Sequence, residues 1–227
     1  MDLSRTARIG ALCWIVAAPL FLAANVIVGL RWTRPPFSWA EHNISDLGNV
    51  SCGVWDTTRP RYVCSPWHDA MNASVLLTAL LLAAGTVLTW RVAGSGRRVR
   101  AAQSLLLLAA LGYALAAVFP ADVDENAHVL GALLIMGLGN LGLLLAALAP
   151  HATTLGRLRA LTLPMALIAL AGTTLFFTQH GLGIGVGGME RVAVFPLPVW
   201  ACCVGVAALR RPAPDHPRSA AEEGARQ

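Results

Sequence analysis

A chain of 227 residues in which 56% are hydrophobic and only 13% charged has too few charges to coat a globular surface in water, where about 25% is usual. Mean hydropathy is +0.60, and the apolar residues stand in long blocks, so a water-soluble fold is excluded. The net charge of +5 tracks the ends of those blocks, as traced below, which makes it a matter of membrane topology and implies no nucleic-acid partner.

Six stretches lack Asp, Glu, Lys and Arg: Ile9–Leu30, Ala70–Trp90, Ala101–Phe119, Ala127–Ala149, Ala160–Phe177 and Val192–Leu209. A helix rising about 1.5 Å per residue crosses a hydrocarbon core of roughly 30 Å in about 20 residues, so each stretch is long enough to span. The blocks are rich in Leu and Ala and show no period-two alternation, which argues against a membrane β-barrel. The predicted fold class is all-α: a polytopic membrane protein, with a six-helix transmembrane bundle over residues 1–211 and a disordered cytoplasmic tail over residues 212–227. The first stretch exceeds the apolar core of a signal peptide, about 7–15 residues, and is expected to be retained.

Within the spans, Pro19, Pro196 and Pro198 predict kinks in the first and sixth, and Asn140 is expected to bond to a neighbouring helix. Gly131, Gly137, Gly139 and Gly142 permit close packing of the fourth span without saying what the neighbour is. None of the six stretches carries a formal charge, which disfavours ion-coupled transport.

Every basic residue is arginine. Arg5, Arg8, Arg91, Arg97, Arg98, Arg100, Arg157, Arg159, Arg210 and Arg211 fall at one set of span ends, against Arg31, Arg34, Arg59, Arg61 and Arg191 at the other. By the positive-inside rule the richer side is cytoplasmic, which places both termini in the cytoplasm and the protein in the cell membrane. Glu41, Asp46, Asp56, Asp69, Asp122, Asp124, Glu125 and Glu190 then face outward.

The outer connection from Arg31 to Trp67 is too long to be a mere connector and is expected to form a structured cap. It holds Cys52 and Cys64, which in an oxidising compartment are expected to pair as a disulfide, whereas Cys13, Cys202 and Cys203 lie inside spans. Asn43 or Ser45 could cap a short interfacial helix that Gly48 closes with positive φ. The glycine run Gly183–Gly188 matches GxGxxG but lacks a βαβ context, and reads as a flexible turn.

His42, His68, His128 and His180 all map to the outer side, at one membrane depth with several carboxylates. His42, Asp46, Asp124 and His128 are therefore candidate ligands for a divalent metal or an acid/base set, with Ser45 a possible nucleophile. Glu190 and Arg191 are candidates for contacting a lipid headgroup or its phosphate.

The run Ile44-Ser45-Asp46-Leu47-Gly48, the Phe119-Pro120 ending of the third span, His128 opening the fourth, and Gly188-Met189-Glu190-Arg191 before the sixth resemble the bacterial and archaeal membrane proteins of domain of unknown function family 998. The resemblance implies a six-span bundle, singles out those residues and supplies no substrate. The leading expectation is thus a membrane protein whose outer face binds a lipid headgroup or partner. The alternative is a metal-dependent hydrolase or transferase acting on an outer-leaflet lipid. Beyond the bilayer and a lipid ligand no partner is implied, and the oligomeric state is left open.

Overall fold

The computed structural model describes residues 4–210, so the tail expected at 212–227 lies outside the described residues. Six helices are long and apolar enough to cross a membrane: α1 (Arg5–Arg31), α2 (His68–Leu88), α3 (Arg97–Val118), α4 (Glu125–Ala147), α5 (Arg159–Phe177) and α6 (Val186–Leu209). Each packs on its neighbour in sequence, and the C-terminal half of α6 packs on α1, closing a ring. The chain is therefore a six-helix bundle and a multi-pass membrane protein.

The centre of the ring is aromatic. Phe21 of α1 meets Tyr113 of α3 and Phe195 of α6 edge-on, with ring centroids 5.6 and 5.9 Å apart, a geometry the ring quadrupoles favour. Nearer the arginine-rich end Trp14 and Trp200 lie 6.1 Å apart, and the Trp200 indole N–H donates to Thr162 Oγ1 at 2.9 Å. Gly112 and Gly131 let α3 and α4 touch backbone to backbone: a Cβ on either would come within 2.6 or 2.7 Å of the other's carbonyl.

Lipid supplies no hydrogen bonds, so every irregularity in a span must be satisfied by a neighbour. Pro196 and Pro198 interrupt α6 at Phe195. The exposed carbonyls find partners across the bundle: Ala193 accepts from Asn140 Nδ2 at 3.0 Å and Val194 from the Tyr113 hydroxyl at 3.3 Å. Helix α4 widens into a π-helical segment over Leu133–Gly139, and the Met136 carbonyl there accepts from Thr173 Oγ1 at 3.2 Å. Pro19, by contrast, sits inside an α1 that runs unbroken from Arg5 to Arg31.

All six spans begin before the corresponding charge-free stretch, for one reason. Helix α6 begins at Val186 and takes in Glu190 and Arg191, and α4 begins at Glu125, because the helix continues past the charge at which a charge-free count must stop. A span therefore does carry formal charge, contrary to expectation.

At the arginine-rich end the guanidinium groups cap helix carbonyls left without intrahelical partners. Arg100 donates to Trp90 at 3.0 Å and Arg159 to Ala147 and Ala149 at 2.7 and 3.0 Å. At the opposite end the segment between α1 and α2 folds into a cap. It contains a 3-10 turn (Ser45–Gly48) and an antiparallel hairpin of β1 (Gly53–Trp55) and β2 (Arg61–Val63). A disulfide joins Cys52 to Cys64 across the hairpin base.

Candidate functional site at the cap end

The turn Ser45–Gly48 is bound from every side. Asp46 is wholly buried, and its Oδ2 and Oδ1 accept from Arg61 Nε and Nη2 at 2.6 Å each. Its Oδ2 also accepts the Asn43 N–H at 2.8 Å. The Leu47 carbonyl accepts from Ser65 Oγ at 2.7 Å and the Gly48 carbonyl from Asn72 Nδ2 of α2 at 2.8 Å. The Ile44 N–H donates to Glu190 Oε2 of α6. Gly48 is required here by space rather than by positive φ, since a Cβ would run into the Asn72 side chain.

Electrostatics hold the hairpin to this turn. Burial opposes charge on Arg61, but its hydrogen bonds and attraction to Asp46, then Asp56, outweigh that and raise its pKa. Arg59 is pushed the other way by burial and by the charge of Arg61. Burial also opposes ionisation of Asp56, yet bonds from the Thr58 side chain and backbone, the Arg59 N–H and Arg61 bring its pKa down to about 2.

The proposed metal quartet does not assemble. His42 sits between Trp32 and Phe37, its ring centroid 4.7 and 5.1 Å from theirs. Its Nδ1 accepts the Ser38 N–H at 2.9 Å, so Nε2 carries the proton and donates to the Tyr62 carbonyl at 3.1 Å; neither nitrogen is left to bind a metal. Asp46 is spent on Arg61. Asp124 is the N-cap of α4, accepting the Ala127 N–H at 3.0 Å. Among the described residues no group of three or more His, Cys, Asp or Glu side chains is placed to share an ion.

Arg191 also departs from its expected role. Its Nη1 donates to the carbonyls of Gly187, His42 and Trp39 at 2.7, 2.9 and 3.2 Å, and the guanidinium lies 5.1 Å from the Trp39 ring. It rivets the cap to α6 and walls neither cavity described next. Gly187 completes the rivet: its N–H donates to Ala40 at 2.9 Å, and a Cβ on it would strike the His42 carbonyl. The glycine run is thus a packing surface as well as a turn, with positive φ at Gly183 and Gly185.

Beneath the cap two cavities adjoin. The inner chamber, about 60 Å³, is walled largely by Phe21, Met71, Val75, Ile135, Met136 and Val194. The outer vestibule, about 760 Å³, lies between the hairpin and the ends of α4 and α5. Ser45, His128 and Glu190 line both. His128 donates from Nδ1 to the Phe119 carbonyl at 2.9 Å; a carbonyl can only accept, so Nε2 is the nitrogen with a free lone pair. Glu190 is 6% exposed, and among the described residues no cationic nitrogen lies within ion-pair distance of it.

The model of a family described as protein of unknown function (DUF998) matches residues 15–207. The chain belongs to that family. No curated protein and no solved structure matches it. In this DUF998 member the matched region covers all of the cap and both cavities.

Of the residues singled out in sequence, Ser45, His128 and Glu190 meet at the junction of the cavities, while His42, Asp46 and Arg191 support the cap and Asp124 caps α4. Sequence reasoning missed Arg61 and Asn72 as the cap's anchors. It also missed the signal that pointed to Arg61. Arginines on the acidic side run against the topological bias, and Arg31, Arg59, Arg61 and Arg191 each have a specific partner there.

Proposed function

We propose that the protein binds one lipid-like amphiphile at its cap end, with the apolar part in the inner chamber and the polar part in the vestibule. The observation that carries this reading is the shared wall: an apolar chamber opens into a polar space at Ser45, His128 and Glu190. Away from Ser45, His128 and Glu190, water against Phe21, Met71 and Ile135 would lack hydrogen-bond partners, so that part of the chamber favours hydrocarbon. The arginine asymmetry and the disulfide support a cap outside the cell membrane, and hence an outer-leaflet ligand.

The test is native mass spectrometry of the purified protein against Ala132→Trp, a position on the wall of both cavities. The expected result is one bound amphiphile in the parent and none in the variant, with helicity unchanged. A parent that carries no amphiphile, or a variant that keeps it, overturns the reading.

Hydrolysis or group transfer on the same ligand is the second reading. What favours it is the hydroxyl of Ser45 beside the junction that His128 also lines, with Nε2 left to accept a proton. Among the described residues its metal-dependent form finds no ligand set. Release of a cleavage product that is lost in both Ser45→Ala and His128→Ala would establish this reading; release that survives them would end it.

A further inference from the structure

We infer that the vestibule is a cation site, which selects amphiphiles carrying an ammonium headgroup over those carrying an anionic one. This rests on the amphiphile reading and names the class of ligand.

Three observations converge on it. First, the walls are aromatic and acidic together: Trp55, Phe176 and Phe177 share the vestibule with Asp56, Glu125 and Glu190. Aromatic faces carry negative potential and attract an ammonium group, most strongly where water is scarce. Phe176 and Phe177 are held edge to face at 5.4 Å, so between them they present both a ring face and a ring edge to their surroundings.

Second, the one guanidinium on these walls is already committed. Arg61 bonds Asp46 through two nitrogens and Asp56 through a third at 3.1 Å. Of the other arginines nearby, Arg59 donates to Asn43 and Arg191 to cap carbonyls, and neither lines the vestibule. An anionic headgroup would meet carboxylates on the vestibule wall, where the lining arginine, Arg61, is already bonded.

Third, Glu190 is buried on the wall with a single backbone N–H donor and no cation within ion-pair distance among the described residues. A buried carboxylate is costly without a partner of opposite charge. Glu125, exposed in the first turn of α4, stands on the same wall. A ligand ammonium between them would supply the close ion pair that Glu190 lacks among the described residues.

The test uses the full chain in an uncharged maltoside detergent, offered equal amounts of dodecyltrimethylammonium, dodecyl sulfate and dodecanol, with adducts counted by native mass spectrometry. The expected result is a preference for the ammonium over the sulfate of roughly tenfold or more. Glu190→Gln and Glu125→Gln are each expected to reduce that preference severalfold, while dodecanol binding stays as it was. Glu125 is exposed and makes no side-chain bond among the described residues, so its variant folds even if that of Glu190 does not. Equal binding of sulfate and ammonium, or a preference unmoved in Glu125→Gln, overturns the inference. If dodecanol still binds in that case, the amphiphile reading survives it; if none of the three binds, both fall together.

Discussion

Arg61 holds Asp46 through two hydrogen bonds of 2.6 Å, one from Nε and one from Nη2, and the carboxylate has no exposure to solvent. The pair joins the second hairpin strand to the turn that roofs the cavities. Removing Arg61 strands the Asp46 carboxylate, and removing Asp46 leaves the buried Arg61 with only the partly exposed Asp56 as counter-charge; losing a buried partner costs up to about 3–5 kcal/mol, whereas replacing both by apolar groups of similar size costs much less. Asp46→Ala is therefore expected to lower the melting temperature in detergent sharply. Asp46→Leu combined with Arg61→Met should recover a large part of that loss. A double variant as unstable as Asp46→Ala would show that the pair's value is geometric rather than electrostatic.

Acid should loosen the hairpin before the bundle. The Asp56 pKa is near 2 in the folded cap against an ordinary value of 3.8. Above pH 3.8 the carboxylate is ionised in both states and its contribution is complete. Between 3.8 and about 2 the unfolded cap takes up a proton that the folded cap refuses, so stability falls as pH falls, and below about 2 the contribution is gone. The adjacent Trp55 offers the readout: its fluorescence should change across that window in the parent and lose that step in Asp56→Asn.

Two glycines separate packing from mere helix content. A Cβ at Gly187 would strike the His42 carbonyl, whereas Gly137 has open space around it. Forcing a methyl into a packed contact costs about 1–3 kcal/mol, while Gly→Ala in an unobstructed helix is neutral or stabilising by about 0.4–1 kcal/mol. Gly187→Ala is expected to lift the cap, seen as faster proteolysis of the hairpin, and Gly137→Ala to leave the protein unchanged. Equal effects from the two would remove the argument that α6 is shaped to receive the cap.

The spans were legible because composition alone decides them: an uninterrupted apolar run has nowhere else to go but lipid. Their charged ends were less so, since Glu190 and Arg191 enter α6 only because the cap brings them an N–H donor and carbonyl acceptors. The convergence of His42, Asp46, Asp124 and His128 failed for a geometric reason. Residues at one depth on a ring of helices are still distributed around its circumference. Contacts such as Ile44 with Glu190, 146 residues apart, depend on closure of the ring and leave no local pattern. Ser45, His128 and Glu190 could be marked as candidates from sequence, but their common wall exists only once α4 and α6 flank the cap.

Orientation carries the remaining consequence, because it decides which leaflet reaches the vestibule. Arginine asymmetry predicts the cap on the outside, yet the arginines at the other end also bond helix carbonyls, as Arg100 and Arg159 do, so charge bias and capping have to be separated by experiment. Thr57 in the hairpin and Ser95 in the connection between α2 and α3 are both exposed. A membrane-impermeant maleimide applied to intact cells should label Thr57→Cys and spare Ser95→Cys until the membrane is permeabilised. The opposite pattern would mean that capping, not topology, accounts for the arginine clusters, and the ligand would then have to come from the inner leaflet.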